Sequence, residues 1–194
     1  MLVHVTDAEF PGTRQTVDDG AYDHLARGGT IPEIHLPATT GEHMDVVAGS
    51  RWTVVFLYPA TGTPGQPLPD GWLHTPGAYG CTAESCGFRD LLVELDHAGA
   101  QVRGVSTQTP SEQAAFAARE HIGYPLLSDH EHTLVQALDL PTFTVGGSHP
   151  RIRRATLLVD QGRRIRDVRY PIPDPAGHAA EVLERLGHLD AGGR

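Results

Sequence analysis

Two cysteines are the residues of this chain best suited to chemistry. Cys81 and Cys86 are the only cysteines among the 194 residues, and they lie five positions apart. Two thiols are too few for a disulfide framework or a cysteine-rich zinc site. Free cysteines that do chemistry act as thiolate nucleophiles or as a redox couple. The sequence therefore predicts reactive thiols, and a packed, unreactive cysteine is the alternative at each position.

The surroundings of Cys81 favour reactivity. It follows a glycine-rich loop and precedes a helix that the apolar spacing predicts over residues 82–98, with Gly99 as the stop. Unpaired N–H groups and the macrodipole at a helix start favour an anion, which lowers the pKa of a thiol placed there. A guanidinium nearby would lower it further, and Arg89 and Arg154 are the candidates.

Cys86 lies inside the same predicted helix. Five residues of an ideal helix rise about 7.5 Å, whereas a disulfide needs its two Cα atoms within roughly 7 Å. Cys81 and Cys86 therefore cannot form a disulfide while that helix is intact. If they do pair, the first turns must unwind, and such local opening is typical of a redox cycle rather than of a structural crosslink.

Composition excludes several classes of function. All 15 basic residues are Arg, so the chain has no lysine for a Schiff base, a pyridoxal site or a Walker motif. The net charge of -9 argues against a nucleic-acid surface. No apolar run approaches the roughly 18 to 20 residues that span a bilayer, and the N-terminus lacks signal-peptide features. The sequence predicts a cytoplasmic protein without a membrane or nucleic-acid partner, and neither a metal nor a cofactor is expected.

Trp52–Tyr58 is a continuous apolar run, which predicts a central strand buried on both faces. A loop rich in Gly and Pro follows it over residues 59–80. Further elements are predicted by periodicity and turn signals: two short strands around Thr40-Gly41, strands over 101–106, 154–159 and 165–170, helices over 111–121 (with Ser111 as N-cap) and 131–138, and a last helix from Pro175 to about 189.

This order predicts the fold class. Strands that alternate with helices form a mixed sheet flanked by helices, an α/β thioredoxin-like fold. We assign it to a domain over residues 29–189 that contains an inserted loop, 60–80, after an N-terminal extension, 1–28. In open α/β sheets the site lies at the carboxyl ends of the strands, which points to the segment after Tyr58 and to the first turn that holds Cys81.

The motifs around both cysteines resemble those of the Q-type peroxiredoxins, also called bacterioferritin comigratory proteins, of the AhpC/TSA redoxins. Tyr58-Pro59 is followed by Gly80-Cys81-Thr82-Ala83-Glu84-Ser85-Cys86-Gly87-Phe88-Arg89-Asp90. The resemblance covers roughly residues 28 to 187. Three further motifs come in the family's order: Gly104-Val105-Ser106-Thr107, Tyr124-Pro125-Leu126-Leu127-Ser128-Asp129 and Arg154-Ala155-Thr156-Leu157-Leu158-Val159-Asp160.

The resemblance implies roles for these residues. Cys81 would be the peroxidatic cysteine, which attacks the terminal oxygen of a hydroperoxide and becomes a sulfenic acid. Cys86 would resolve it by an intramolecular disulfide, which thioredoxin or a similar dithiol reduces. Arg154 and backbone N–H groups would stabilise the leaving oxygen. Glu84 and Arg89 match positions that orient the first turn, although a helix-end acid and an exposed cation explain them equally well.

The chain departs from the family pattern P-x-x-x-T-x-x-C. Pro59 and Thr63 keep their mutual spacing, but Gln66 stands where the cysteine belongs and Cys81 comes 15 residues later. Either a loop is inserted before Cys81, or Thr75 and its neighbours replace the motif. Because Pro59 directly follows the strand, we favour the insertion, with Pro59 shielding the thiolate and the Thr63 hydroxyl binding the peroxide.

Two further questions stay open at this point. Trp72, His74 and Tyr79 of the inserted loop would either wall the substrate pocket or pack as a surface loop. A thiol peroxidase is the favoured function, with redox tailoring of a small metabolite or a thiol redox sensor as the alternatives. Nothing in the sequence decides between a monomer and a homodimer.

Overall fold

The computed structural model describes residues 17–26, 28–147 and 149–192. A short 3-10 turn, Trp72–His74, lies inside the long loop. The helices and strands follow one another along the chain as α1 (Asp23–Ala26), β1 (His35–Pro37), β2 (His43–Asp45), β3 (Trp52–Leu57), α2 (Cys81–Asp90), α3 (Leu92–His97), β4 (Ala100–Ser106), α4 (Pro110–Glu120), β5 (Leu126–Ser128), α5 (Thr133–Leu138), β6 (Thr142–Phe143), β7 (Arg151–Ile152), β8 (Ala155–Asp160), β9 (Ile165–Arg169) and α6 (His178–Gly192).

The centre is a five-stranded mixed sheet in the order β5-β4-β3-β8-β9. β3 pairs in parallel with β4 and antiparallel with β8, and all six residues of β3 are buried. The prediction that the Trp52 segment is the central strand is confirmed. The predicted α/β fold of thioredoxin type, with a mixed sheet and flanking helices, is also confirmed. Both faces of β3 are covered, which explains its continuous apolar sequence.

Alternation along β3 divides the interior into two cores. Val55 and Leu57 face a core that includes residues of α1, the β1–β2 hairpin and α5. Val54, Phe56 and Tyr58 face the other core, with residues of α2, α3, α4 and α6. Side chains alternate between the two faces of a strand, so one strand serves both layers. The helix that begins at Cys81 thus packs on the Phe56 face of the sheet.

The segment before β1 packs against the domain where the structure describes it. Tyr22 and Leu25 are buried, and the Tyr22 hydroxyl donates to the Arg153 carbonyl at 2.6 Å. Residues 1–16 and Arg27 of the expected extension lie outside the described residues, so the boundary near residue 28 stays a prediction. Across the described ranges, no helix has the length and apolar character that a membrane crossing requires.

The single helix predicted over residues 82–98 is wrong. α2 ends at Asp90 and α3 begins at Leu92, because Leu91 leaves the helical region at φ -106° and ψ 16°. Phe88 and Leu95 are both buried on either side of this break. Their spacing of two helical turns continues across it, which is why the periodicity indicated one helix.

Two predicted helix starts are also corrected. α4 is capped by Thr109 rather than Ser111: the Thr109 hydroxyl accepts from the Glu112 N–H, and the Glu112 carboxylate accepts from the Thr109 N–H. This reciprocal capping box fixes the N-cap two residues earlier than expected. α6 begins at His178 rather than Pro175, which packs over Gly80 instead.

His178 fastens the start of α6 to the sheet. It is fully buried, and its Nε2 lies 2.8 Å from the Thr156 hydroxyl of β8. Burial, assisted by the positive charges of Arg154 and Arg169, lowers the pKa of His178 to about 3. The folded protein therefore keeps this imidazole neutral at pH values where an unfolded chain protonates it.

We expect this burial to make stability depend on pH. As the pH falls below about 6.5, the unfolded state binds a proton that folded His178 does not bind until about 3, so the free energy of unfolding decreases. The loss from this group between about pH 7 and pH 5 is about 2 kcal/mol. Urea unfolding across this range should show a steeper pH dependence for the wild type than for His178→Gln. Equal slopes would contradict the prediction.

Candidate active site

Three side chains meet at the start of α2. Cys81 is the first residue of the helix, Glu84 lies in its first turn, and Arg154 directly precedes β8. The Arg154 Nη2 lies 3.2 Å from the Cys81 sulfur, and its Nη1 donates to the Glu84 carboxylate. Cys81 is 3% exposed, and Glu84 and Arg154 are 0% exposed. The site is thus a buried cluster of one cation and two acidic groups.

The same guanidinium holds the end of the long loop. The Arg154 Nη2 also donates to the carbonyls of Gly77, at 3.2 Å, and Tyr79, at 2.8 Å. Gly80 then takes a φ of 98°, and a Cβ there would lie 2.7 Å from Pro175. Glycine is required at this position by both conformation and space. These contacts fix the direction in which the chain enters α2, and hence where Cys81 lies.

Both protonation states of the Cys81 thiol have hydrogen-bond partners. Burial raises the pKa of the thiol, and the Arg154 guanidinium and the backbone N–H of Ala60 oppose that rise. The protonated thiol has an acceptor in the Ala78 carbonyl, with the sulfur 3.6 Å from that oxygen. A thiolate would instead receive hydrogen bonds from Arg154 and Ala60. Formation of the thiolate therefore depends on that guanidinium rather than on solvent.

Glu84 competes with Cys81 for the same charge. Burial raises the pKa of Glu84 to about 7, although Arg154 works in the opposite direction. Its Oε1 is buried and has no hydrogen-bond partner among the described residues. One guanidinium cannot compensate two buried anions without a large desolvation cost. Ionisation of Glu84 therefore disfavours ionisation of Cys81, and the reverse also holds.

Cys86 lies farther along the unbroken helix α2, and both cysteines are free thiols. Cys86 is half-buried, and burial raises its pKa while Arg89 opposes the rise. Arg89, the alternative cation that the sequence offered for Cys81, instead pairs with Asp90 and donates to the Glu120 carbonyl at 2.6 Å. It is therefore Arg154 that lies at the Cys81 sulfur.

The other site residues predicted from the sequence are Pro59, Thr63 and Thr75. Pro59 is buried directly after β3, as its position in the sequence indicates. Thr63 is exposed, and the Thr75 hydroxyl donates to the Gly71 carbonyl at 2.9 Å. Within the described ranges no hydrogen bond joins either threonine to Cys81. The structure thus brings together Cys81, Glu84 and Arg154 but leaves both candidate hydroxyls outside that cluster.

Sequence reasoning missed two groups close to the site. The Ala60 N–H follows Pro59 and acts on the Cys81 sulfur, a backbone contact that no residue type reveals. Thr61 is buried, and the family pattern specifies no residue type at its position. Its N–H and hydroxyl both donate to the Gln108 side chain, at 2.8 and 3.1 Å. The position of Thr61 two residues after the anchored Pro59 is the signal that would have found it.

The long loop packs against the rest of the domain and buries side chains of its own. Trp72 is buried, and its ring lies 6.2 Å from that of Phe143. Ala78 and Val145 complete this small core. Of the three residues considered as pocket walls, Trp72 belongs to this core and also lines a small cavity, whereas His74 is exposed. The loop packs against the chain that leads into β7.

Comparisons with known proteins agree with this arrangement. Residues 74–168 match the AhpC/TSA family. Peroxiredoxin Bcp of Escherichia coli is 30% identical over 148 residues, which cover 74% of this chain and 85% of that protein. The crystal structure of peroxidoxin BcpB from Mycobacterium tuberculosis has a TM-score of 0.66 and 30% identity over 84% of this chain and 96% of that one.

A third similar protein is the Xanthomonas campestris bacterioferritin comigratory protein, with a TM-score of 0.63 and 26% identity over 90% of this chain and 97% of that one. A thioredoxin-like fold with a buried cysteine at a helix start and an arginine at its sulfur defines a class of thiol redox proteins. Within that class, the chain belongs to the peroxiredoxin family. Membership of this family supports a thiol peroxidase activity.

The shared guanidinium predicts the effect of removing one acid. In Glu84→Gln, an amide replaces the carboxylate at nearly constant shape, so Arg154 compensates Cys81 alone and the pKa of the thiol falls. Thiolate absorbance against pH, measured in a Cys86→Ser background, reports this pKa. The exposed Glu94→Gln on α3 is the matched control and should not change it. An unchanged or higher pKa in Glu84→Gln would show that Glu84 only holds the fold.

Proposed function

We propose that this protein reduces hydroperoxides through Cys81. The observation that carries the proposal is the Arg154 Nη2 lying 3.2 Å from the buried Cys81 sulfur. The thiolate attacks the terminal peroxide oxygen, the O–O bond breaks, and a sulfenic acid and an alkoxide or hydroxide result. The proton lost by the thiol goes to that leaving oxygen, so a thiol and a hydroperoxide give a sulfenic acid and an alcohol or water.

Donors around the sulfur support this step. Negative charge moves from sulfur to the leaving oxygen, and fixed donors lower the barrier when they face the place where charge develops. The Arg154 fork and the Ala60 N–H are such donors, and both act on the Cys81 sulfur. Glu84 orients Arg154 by accepting from its Nη1. We assign Pro59, buried beside Ala60, the role of shielding the thiolate from water.

Thr63 must move toward Cys81 if its hydroxyl is to bind the peroxide. The resemblance assigns its hydroxyl to the peroxide, but Thr63 is exposed in the long loop and no hydrogen bond among the described residues joins it to Cys81. Its role stays a prediction and needs the loop to bring the hydroxyl inward when substrate binds.

We propose that Cys86 resolves the sulfenic acid. Its thiolate would attack the Cys81 sulfur, expel water and form an intramolecular disulfide, which thioredoxin or a similar dithiol then reduces. α2 is continuous across both cysteines, so its first turns must open. The hydrogen bond from the Tyr124 hydroxyl to the Ser85 carbonyl, at 2.8 Å, lies between them and would resist that opening.

The range of substrates is proposed from a relative. The structural work on the Xanthomonas campestris protein concerns its alkyl peroxide reduction activity. We extend this to the present chain as a proposal that it accepts organic hydroperoxides as well as hydrogen peroxide. The cytoplasmic location expected from the sequence fits a thioredoxin-type reductant, and it stays part of the proposal.

Two cysteine variants test the proposal. Cys81→Ser should abolish peroxide consumption, because a serine hydroxyl is not ionised at neutral pH and is a far weaker nucleophile. Cys86→Ser should consume about one equivalent of peroxide and then stop with thioredoxin as the reductant, because the sulfenic acid forms but no disulfide follows. Peroxide loss is measured in single-turnover and steady-state experiments. A Cys81→Ser protein that turns over peroxide would overturn the assignment, and steady turnover by Cys86→Ser would remove Cys86 from it.

A further inference from the structure

A cavity built largely by the long loop is lined by Ala60, the residue after Pro59. Its volume is about 130 Å³. The loop supplies its apolar wall, which includes Leu68 and Trp72. The Ala60 N–H acts on the Cys81 sulfur, so Ala60 connects the cavity to the candidate active site, while neither Cys81 nor Arg154 lines the cavity. Apolar cavities of roughly 150 Å³ hold a molecule the size of benzene, so this one suits a small organic group.

Arg151 brings a guanidinium to this cavity. It lies on β7, three residues before Arg154, and it is partly buried. Its Nε is buried without a hydrogen-bond partner among the described residues. A guanidinium donor that lacks an acceptor is costly, and an anionic ligand bound in the adjacent cavity would supply one. Burial lowers the pKa of Arg151, and the nearby charges of Glu112 and Cys81 oppose that shift.

Of the other polar side chains of the lining, Gln108 and Glu112 are already engaged, whereas Thr63 and Gln66 are exposed to solvent. The Gln108 side chain is used by Thr61, accepting from its N–H and donating to its carbonyl at 3.1 Å. Glu112 is exposed, and its Oε2 accepts from the N–H and the hydroxyl of Thr109, both at 2.7 Å. These bonds hold the pKa of Glu112 below its ordinary value although burial opposes them. Glu112 therefore stays an anion and repels a second one from that side.

These observations define a ligand by its chemistry. An apolar wall, a small volume and a half-buried guanidinium match a short carbon chain that ends in a carboxylate, which an arginine fork binds through paired hydrogen bonds. We propose that the cavity holds the organic part of carboxylate-bearing hydroperoxides and that Arg151 binds their carboxylate while the peroxide lies at Cys81. This inference rests on the proposed peroxidase function and names its substrate class. Arg151 would be the residue that determines this preference.

A pair of matched substrates tests the inference. β-Hydroperoxyisovalerate and β-hydroperoxyisovaleramide have the same shape but differ in charge. The ratio of their kcat/KM values within one protein cancels any effect of a substitution on the Cys81 thiolate. We expect the wild type to prefer the carboxylate by about tenfold, as for a charge-assisted hydrogen bond. The preference should decrease as salt concentration rises, because ions screen a partly exposed pair.

Variants then assign the preference to one residue. Arg151→Gln should bring the ratio to about one or below, and Arg151→Lys should retain part of it. Arg153→Gln is the matched control, since Arg153 pairs with Asp19 and stacks on Tyr170, outside the cavity lining. Its ratio should equal that of the wild type.

Each outcome decides a different claim. A wild-type ratio of about one, or a ratio that Arg151→Gln leaves unchanged, would overturn the role of Arg151 and the substrate class while hydrogen peroxide turnover sustains the peroxidase. Absence of turnover with hydrogen peroxide and with both organic substrates would overturn the proposed function itself. A preference that falls in Arg153→Gln as much as in Arg151→Gln would show a general effect of charge and would also overturn the assignment.

Discussion

The buried guanidinium of Arg154 is the interaction on which the site depends. A cation removed from water needs a counter-charge and hydrogen-bond acceptors, or it destabilises the fold. Glu84 supplies the charge, and the carbonyls of Gly77 and Tyr79 supply acceptors. These partners come from the loop and from α2, whereas Arg154 precedes strand β8 of the main sheet. One side chain thereby joins the sheet, the loop and the reactive helix, and the position of Cys81 follows from it.

The same arrangement sets two requirements against each other. Burial positions Cys81 and keeps water from its sulfur, but it also raises the pKa of the thiol, so the thiolate depends on Arg154 and the Ala60 N–H. Resolution by Cys86 requires the opposite condition, an opened α2 in which the sulfur is released. The hydrogen bond from Tyr124 and the packing of Pro175 on Gly80 stabilise the closed helix. The strength of such contacts determines how often a helix opens locally.

Local sequence signals predicted much of this structure. The all-apolar Trp52 segment indicated a central strand, and the spacing of Cys81, Glu84 and Cys86 with a later Arg154 matched an ordered family pattern. Features that depend on distant contacts were missed. Leu91 interrupts a periodicity that continues on both sides of it, and Pro175 packs on Gly80 instead of starting a helix. The exposed position of Thr63 likewise results from the path of a loop, which no periodic pattern determines.

The long loop is stabilised by a small apolar core of its own. Its glycines and prolines cannot form a regular element, so it gains stability by burying Trp72 and Ala78 against Val145, with Phe143 packed alongside. The chain that it packs on continues into β7 and then to Arg154. Residues 142–154 therefore supply a support for the loop, the Arg151 guanidinium of the cavity and the Arg154 guanidinium at the sulfur. Since these three groups follow one another along one short segment, a shift of the loop cannot be independent of the charges around Cys81.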